Sequence, residues 1–204
     1  LVLLATPNNP TGTAVSTDAI AGLLARIPDD VVVVVDEAYR EFADPALGDP
    51  VADLVPQHRN VVVLRTFSKA YGLAGLRLGY AVGDPELIVD VDKLLLPFST
   101  NSLAQAAALA AIEHFDDIRP RLELLVAERH RVVRALTGAG WKLPDAQANF
   151  VFLPLGARTE EIYLDLERRG VVTRPFLGEG LRVTIGSPEE NDRFLATMAE
   201  VAVA

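Results

Sequence analysis

The sequence predicts an α/β fold in two parts, a mostly parallel sheet in a large domain (residues 1–98) and a smaller α+β C-terminal domain (residues 99–204). In the first part, short apolar runs alternate with helical segments. This pattern is typical of parallel strands joined by helical crossovers. The second part begins with a helical stretch rich in alanine and charge, and short strands follow it. This change of pattern places the domain boundary near residues 95–100.

Four apolar runs are predicted as strands of the large domain: residues 1–5, 31–35, 61–64 and 77–82. Residues 31–35 are five consecutive valines, which indicate a strand buried on both faces. A dense turn signal, Asn8-Asn9-Pro10-Thr11-Gly12, follows the first run. The segment Ser16-Thr17-Asp18 is predicted to cap a helix that ends near Arg26.

The smaller domain is predicted to begin with a helical stretch over residues 102–135, broken near Arg119 and Pro120 because proline lacks a backbone N–H. Short strands are predicted around Trp141 and over residues 149–153, 171–173 and 181–185. Helices are predicted over residues 160–169 and 188–202.

Composition excludes several classes of protein. The chain has 204 residues, half of them hydrophobic, which indicates a folded globular protein. Its formal charge of −9 repels phosphate backbones and anionic membranes, so we expect no nucleic-acid or membrane partner. The absence of cysteine excludes disulfides and thiol nucleophiles, and three histidines leave little for a metal site. No apolar run approaches the roughly 18 residues of a membrane span, so we expect a soluble, cytoplasmic protein.

Two features predict that the sequence is part of a longer chain. It opens directly inside a predicted strand, and its only methionine is Met198.

Polar side chains follow three successive predicted strands. Because ligands collect at the carboxyl ends of strands in open α/β sheets, we expect these side chains to converge on one crevice. They are Asn9 after the first strand, Asp36 and Tyr39 after the second, and Thr66, Ser68 and Lys69 after the third. Each has an ordinary alternative: a turn for Asn9, a helix cap for Asp36, a half-buried aromatic for Tyr39 and solvated surface for Lys69.

An amine beside a carboxylate, a phenol and hydroxyls suits one cofactor. An unprotonated lysine forms a Schiff base with an aldehyde, and pyridoxal phosphate is the obvious aldehyde. Asp36 would keep its pyridine nitrogen protonated, and Asn9 and Tyr39 suit its phenolic oxygen. Thr66, Ser68 and Arg77 offer the hydroxyls and guanidinium that its phosphate requires.

Three ordered motifs resemble those of the fold-type I pyridoxal-phosphate aminotransferases: Asn8-Asn9-Pro10-Thr11-Gly12, Asp36-Glu37-Ala38-Tyr39 and the run from Arg65 to Arg77 (RTFSKAYGLAGLR). Within that superfamily the chain is similar to the histidinol-phosphate aminotransferase family. The resemblance implies that Lys69 is the Schiff-base lysine. It also implies the roles given above for Asn9, Asp36, Tyr39, Thr66, Ser68 and Arg77, and a homodimer.

Two arginines lie in or beside predicted strands of the smaller domain. By the resemblance, Arg182 clamps a substrate carboxylate and Arg174 helps to bind a distal acidic group. The alternative for each is a surface ion pair. Asn149-Phe150 is also typical of the family, and we expect it to have a structural role.

The resemblance implies an aminotransferase that acts on an aromatic amino acid or histidinol phosphate with a 2-oxo acid. Two alternatives stay open. One is a decarboxylase of a phosphorylated amino acid, because threonine-phosphate decarboxylases resemble this family. The other is an inactive fragment that lacks an N-terminal segment carrying a ring-stacking aromatic and a Gly-rich turn. A serine hydrolase is disfavoured, since Thr66 stands where an S-x-x-K motif requires serine.

Overall fold

The structure is a computed structural model that describes residues 1–201. The chain forms two compact units, one of residues 1–7 and 14–120, and a second of residues 8–13 and 121 onward. The predicted boundary between residues 98 and 99 differs from this division and stays a prediction. The start of the long helical stretch groups with the first unit, where the rings of Phe115 and Tyr71 lie 5.4 Å apart.

The first unit contains a four-stranded sheet in the order β1-β2-β3-β4. The strands are β1 (Val2–Ala5), β2 (Val33–Asp36), β3 (Val61–Thr66) and β4 (Gly79–Gly83). The first three are parallel and β4 is antiparallel to β3, so the predicted mostly parallel sheet is confirmed. Asp36 is in register with Ala5 on one side and Leu64 on the other, which brings the carboxyl ends of three strands to one edge.

Helix α1 (Thr17–Leu24) covers this sheet and begins where the sequence predicts, since Ser16 Oγ accepts a hydrogen bond from the Ala19 N–H. Valines of β2 and β3 form the centre of the core. Val33, Val35, Val61 and Val63 are completely buried and pack with residues of α1. The short helix α2 (Pro50–Asp53) adds further apolar side chains to this cluster.

Three further helices follow β4: α3 (Pro85–Asp92), α4 (Ser102–Glu113) and α5 (Phe115–Gly138). Sequence analysis did not predict α3, although Asp84 caps it and Pro85 begins it. The predicted break near Pro120 is wrong. The helical stretch is interrupted at His114, whose φ of −105° and ψ of 25° lie outside the helical region, and Pro120 lies inside α5. A proline deprives a helix of one backbone hydrogen bond, which a helix of 24 residues tolerates.

The second unit contains a three-stranded antiparallel sheet in the order β5-β7-β6, with two helices beside it. Its elements are β5 (Phe150–Pro154), α6 (Thr159–Arg168), β6 (Arg174–Phe176), β7 (Gly180–Thr184) and α7 (Pro188–Glu200). The predicted end of the last helix, Ala202, lies outside the described residues.

Two strand predictions in this unit are wrong. The segment around Trp141 has no strand, and Trp141 packs instead against the apolar core of the unit. Residues 171–173 are not a strand either, because the Val171 N–H donates to the Leu166 carbonyl and so ends α6. Pairing with β7 begins only at Arg174.

The core of the second unit combines residues of α5, β5, α6, β7 and α7. Val132, Val151, Leu166 and Leu181 have no exposed surface. Within residues 1–201, no helix has both the length and the apolar character needed to cross a membrane.

Candidate active site

An open cleft of about 390 Å³ lies at the carboxyl ends of β2 and β3 in the first unit. Its volume falls within the range of small-molecule sites. Five predicted site residues line it: Asp36, Thr66, Ser68, Lys69 and Arg77. The structure thus brings together a carboxylate, two hydroxyls, an amine and a guanidinium, as the strand order predicts.

Asp36 is the last residue of β2, and its side chain is exposed at the cleft. Its Oδ1 accepts a hydrogen bond of 3.0 Å from the Ala38 N–H. The carboxylate therefore caps the turn that follows β2, as the ordinary alternative has it, and also faces the cleft. The turn bond holds the carboxylate in one orientation.

Lys69 lies beside Tyr39. Its Nζ is 5.3 Å from the centroid of the Tyr39 ring, and the ring is buried while the lysine is exposed. An ammonium group over an aromatic face is attracted by the ring quadrupole. The phenol and the amine predicted to act together are therefore neighbours.

The residues from Thr66 to Arg77 form a loop that returns the chain to the same edge of the sheet. Thr66 Oγ1 accepts from the Ser68 N–H at 3.0 Å, and the Phe67 N–H donates to the Leu78 carbonyl at 3.1 Å. Arg77 has a left-handed φ of 54°, and its Nη1 donates to the Ala74 carbonyl. The loop thereby places Arg77 in the cleft with Ser68 and Lys69.

Gly79 allows this return. It is in register with Thr66, and a Cβ at this position would lie 2.7 Å from the Arg65 carbonyl oxygen. Real Cβ atoms essentially never approach so closely. The close contact between β3 and β4 at the cleft therefore requires glycine.

Asn9 belongs to a compact loop of the second unit. In this loop the Asn8 N–H donates to the Thr13 carbonyl at 2.7 Å, and Asn8 Nδ2 donates to Thr11 Oγ1 at 2.8 Å. Asn9 itself is exposed, and its Oδ1 accepts a hydrogen bond of 2.7 Å from Arg182 Nη1. Sequence analysis paired Asn9 with Tyr39 and did not predict its contact with Arg182.

Arg182 also contacts Phe150, whose ring centroid lies 5.1 Å from the guanidinium carbon. The Phe150 ring therefore packs against a predicted site residue, Arg182. The sequence pattern did not indicate this contact. Arg182 Nε is buried and has no hydrogen-bond partner within residues 1–201.

Arg174 and Arg182 lie directly opposite each other on the antiparallel strands β6 and β7. Side chains of such a pair share one face of the sheet, and like charges in this position repel. Neither arginine is in an ion pair within the described part of the chain, so the surface ion pair that was the alternative is not observed. A bound anion would relieve the repulsion.

An ionic cluster around one buried carboxylate lies next to the cleft and was not predicted from the sequence. Its members are Glu37, Arg40, Asp49 and Arg65, and Glu37 is only 3% exposed. Burial raises the pKa of Glu37 despite its contacts with Arg65 and Arg40. Burial lowers the pKa of Arg65, but the nearby carboxylates of Glu37 and Asp49 raise it more, so that it lies above its ordinary value. Two charged residues in the sequence could have indicated the cluster: Glu37, which follows the last residue of β2, and Arg65, which precedes the last residue of β3.

The sequence of the chain matches the model of a known protein family. The family model described as aminotransferase class I and II matches residues 1–198. The chain belongs to the class I and II aminotransferases. The resemblance inferred from the three motifs is therefore confirmed.

This aminotransferase chain is 50% identical over 195 residues to the aromatic amino acid aminotransferase of Mycolicibacterium paratuberculosis. The match covers 96% of this chain and 55% of that protein, so the chain spans about half the length of its relative.

Solved structures of other proteins share the fold of this aminotransferase chain. The histidinol-phosphate aminotransferase of Sinorhizobium meliloti in complex with pyridoxal-5'-phosphate has a TM-score of 0.84 at 29% identity, covering 98% of this chain and 56% of that one. The L-threonine-O-3-phosphate decarboxylase of Porphyromonas gingivalis has a TM-score of 0.80 at 25% identity, covering 96% and 62%. The predicted α/β fold class is confirmed.

Proposed function

We propose that the protein, at its natural length, is a pyridoxal-phosphate-dependent aminotransferase. It moves an amino group between an aromatic amino acid or histidinol phosphate and a 2-oxo acid. One observation carries the proposal. A single cleft is lined by the amine of Lys69, the carboxylate of Asp36 and three side chains suited to binding phosphate, those of Thr66, Ser68 and Arg77. The sequence relative named as an aromatic amino acid aminotransferase supports the aromatic substrate.

The donor set of the cleft fits the cofactor. Asp36 would accept the N–H of the pyridine ring, since its carboxylate is exposed at the cleft and held by the Ala38 N–H. The hydroxyls of Thr66 and Ser68, with Arg77, would bind the phosphate, because a guanidinium and hydroxyl donors suit its oxygens. We propose that Asn9 and Tyr39 bind the phenolic oxygen.

Lys69, Asp36 and Tyr39 are the proposed catalytic residues. Pyridoxal phosphate, when bound, withdraws electrons from the substrate α-carbon and so makes its proton acidic. Lys69 Nζ would bind the cofactor aldehyde and, once a substrate amine has displaced it, take the α-proton and return it as general base and acid. Tyr39 is included because its ring centroid lies 5.3 Å from Lys69 Nζ.

The two arginines of the second unit are the proposed substrate anchors. Arg182 would bind the α-carboxylate, and Arg174 would bind a second acidic group further along the substrate. The proposal is supported by two observations: the arginines lie opposite each other on adjacent strands, and neither has an ion-pair partner within residues 1–201. Like charges in this position repel, so an anion bound between them would be favoured.

The deciding experiment measures amino transfer by the protein at its natural length. We expect saturable transfer to 2-oxo acids, with kcat/KM compared for phenylpyruvate and histidinol phosphate. A higher value for phenylpyruvate supports the aromatic type, and a higher value for histidinol phosphate supports the other. Absence of both transfer to phenylpyruvate and transfer from histidinol phosphate, in protein that binds the cofactor, contradicts the proposal.

A second candidate is a decarboxylase of a phosphorylated amino acid. The structural similarity to the threonine-phosphate decarboxylase of Porphyromonas gingivalis favours it, and the same arginine pair would suit a phosphate. The two functions differ in stoichiometry. Release of carbon dioxide from phosphothreonine without any 2-oxo acid identifies the decarboxylase.

We also propose a cytoplasmic homodimer. Exposed apolar side chains along α3, α4 and the segment between them support a subunit interface, since such patches mark contact surfaces. They include Val89, Leu94, Leu96, Leu103 and Leu109. Sedimentation of the protein at its natural length tests the dimer, and a monomer at micromolar concentration contradicts it.

A further inference from the structure

The ionic cluster of Glu37, Arg40, Asp49 and Arg65 is built around one buried carboxylate. Arg65 Nε and Nη2 both contact Glu37 Oε2, at 2.8 and 2.7 Å. Arg65 Nη2 also contacts Asp49 Oδ1 at 2.6 Å, while Arg40 Nη2 lies 3.4 Å from Asp49 Oδ2. The two carboxylates and the two guanidinium groups have equal and opposite formal charges, so the four side chains together carry no net charge.

Members of this cluster are chain neighbours of the proposed site residues. Glu37 follows Asp36, Arg65 precedes Thr66, and Arg40 follows Tyr39. Successive side chains of a strand point to opposite faces of a sheet. In agreement with this, Asp36 is exposed at the cleft while Glu37 is buried.

The cluster joins β2 and β3 where their regular pairing ends. The last register pair is Asp36 with Leu64, and the Glu37 N–H then donates to the Leu64 carbonyl at 2.9 Å. Beyond this point, the contact between Arg65 and Glu37 holds the two strand ends together through side chains. Asp36 is the last residue of β2, while β3 continues to Thr66, which pairs with Gly79 of β4.

A buried ion pair is a weak source of net stability, because the cost of removing two charges from water offsets their attraction. Buried pairs can nevertheless fix one geometry among several. We propose that Glu37 and Arg65 are positioning residues, which hold the ends of β2 and β3 so that Asp36 and the loop from Thr66 to Lys69 present their groups to one cofactor. This inference rests on the proposed cofactor site.

The test compares Glu37→Gln, Arg65→Met and the double variant with the wild type, all at natural length. Three quantities are measured: the unfolding temperature of the cofactor-free protein, the dissociation constant of pyridoxal phosphate, and the visible circular dichroism of the bound form. Glu128→Gln is the matched control, because it removes a carboxylate bound to Arg131 and Asn191 in the second unit.

Each single variant is expected to lower the unfolding temperature and to weaken cofactor binding about tenfold, the scale seen when a group that orients a binding side chain is removed. The double variant leaves no uncompensated charge, so it is expected to regain stability while still binding weakly and with altered dichroism. Glu128→Gln is expected to leave both cofactor measurements unchanged.

A double variant that binds the cofactor as tightly as the wild type and with the same dichroism overturns the inference, since the pair would then be only structural. A wild-type protein that binds no pyridoxal phosphate instead contradicts the proposed function itself. The two failures are therefore distinguished by the wild-type titration.

Discussion

Arg182 and Asn9 are joined by a hydrogen bond of 2.7 Å between Nη1 and Oδ1, although 173 positions separate them in the chain. The guanidinium carbon of Arg182 also lies 5.1 Å from the centroid of the Phe150 ring. These two contacts restrict the orientation of the guanidinium, which we propose binds the substrate carboxylate. Preorganisation of this kind lowers the entropic cost of binding.

Arg182→Leu is expected to weaken substrate binding and to spare the cofactor. Loss of a charge-assisted contact to a carboxylate should lower kcat/KM by about 30-fold or more, corresponding to about 2 kcal/mol. The absorbance of bound cofactor should be retained. Arg168→Leu, an exposed arginine of α6, is the control and should change neither quantity. Loss of cofactor with unchanged amino-acid affinity would show that the assigned role is wrong.

Lys69→Ala is expected to abolish amino transfer, because it removes the amine proposed to bind the cofactor and to move the proton. Borohydride treatment of the wild type should fix the cofactor to the peptide that contains Lys69, as measured by mass spectrometry. Lys93→Ala is the control, since Lys93 is exposed and pairs with Asp90. Recovery of label on another peptide would sink the assignment.

Asp36→Asn is expected to preserve cofactor binding and to lower kcat by about 100-fold or more, because it removes the carboxylate proposed to keep the ring nitrogen protonated. Asp44→Asn is a matched control. Asp44 Oδ1 accepts from the Ala46 N–H as Asp36 Oδ1 accepts from the Ala38 N–H. Near-normal turnover of Asp36→Asn would mean that another group carries the charge.

Tyr71 gives a prediction about pH. Burial and, to a smaller extent, Glu41 raise the pKa of Tyr71 from 10.0 to about 12. Because the folded pKa is the higher one, the contribution of the phenol to stability is present below pH 10 and is lost as the pH rises towards 12. The free energy of unfolding should therefore fall less steeply over this interval in Tyr71→Phe than in the wild type. The free energy of unfolding is measured by denaturant titration at several pH values. An equal decrease with pH in Tyr71→Phe and the wild type would contradict the raised pKa of Tyr71.

The sequence predicts the strands of the first unit well because runs such as residues 31–35 and 61–64 have one physical interpretation, a strand buried on both faces. It predicts less where backbone geometry decides. Pro120 indicated a break, yet a single missing hydrogen bond did not end α5. Residues 171–173 indicated a strand, yet Val171 is committed to the end of α6.

The same contrast holds for the site. Asp36, Thr66, Ser68 and Lys69 were predicted to converge because strand order alone brings the ends of parallel strands to one edge. The contacts of Arg182 with Asn9 and Phe150 depend on tertiary packing between segments far apart in sequence, and no local pattern specifies them. The buried position of Glu37 likewise depends on Arg65, which lies 28 positions later in the chain.

Residues 8–13 have a consequence for how the second unit is assembled during synthesis. They are synthesised before their partners in this unit, which lie much later in the chain. The Gly12 carbonyl accepts a hydrogen bond from the Gln147 N–H, and Asn9 Oδ1 accepts one from Arg182 Nη1. Neither bond can form until the later residue has been synthesised. The second unit is therefore completed only after most of the chain exists. A separately expressed piece that starts at Arg121 would lack this loop and leave Arg182 without Asn9.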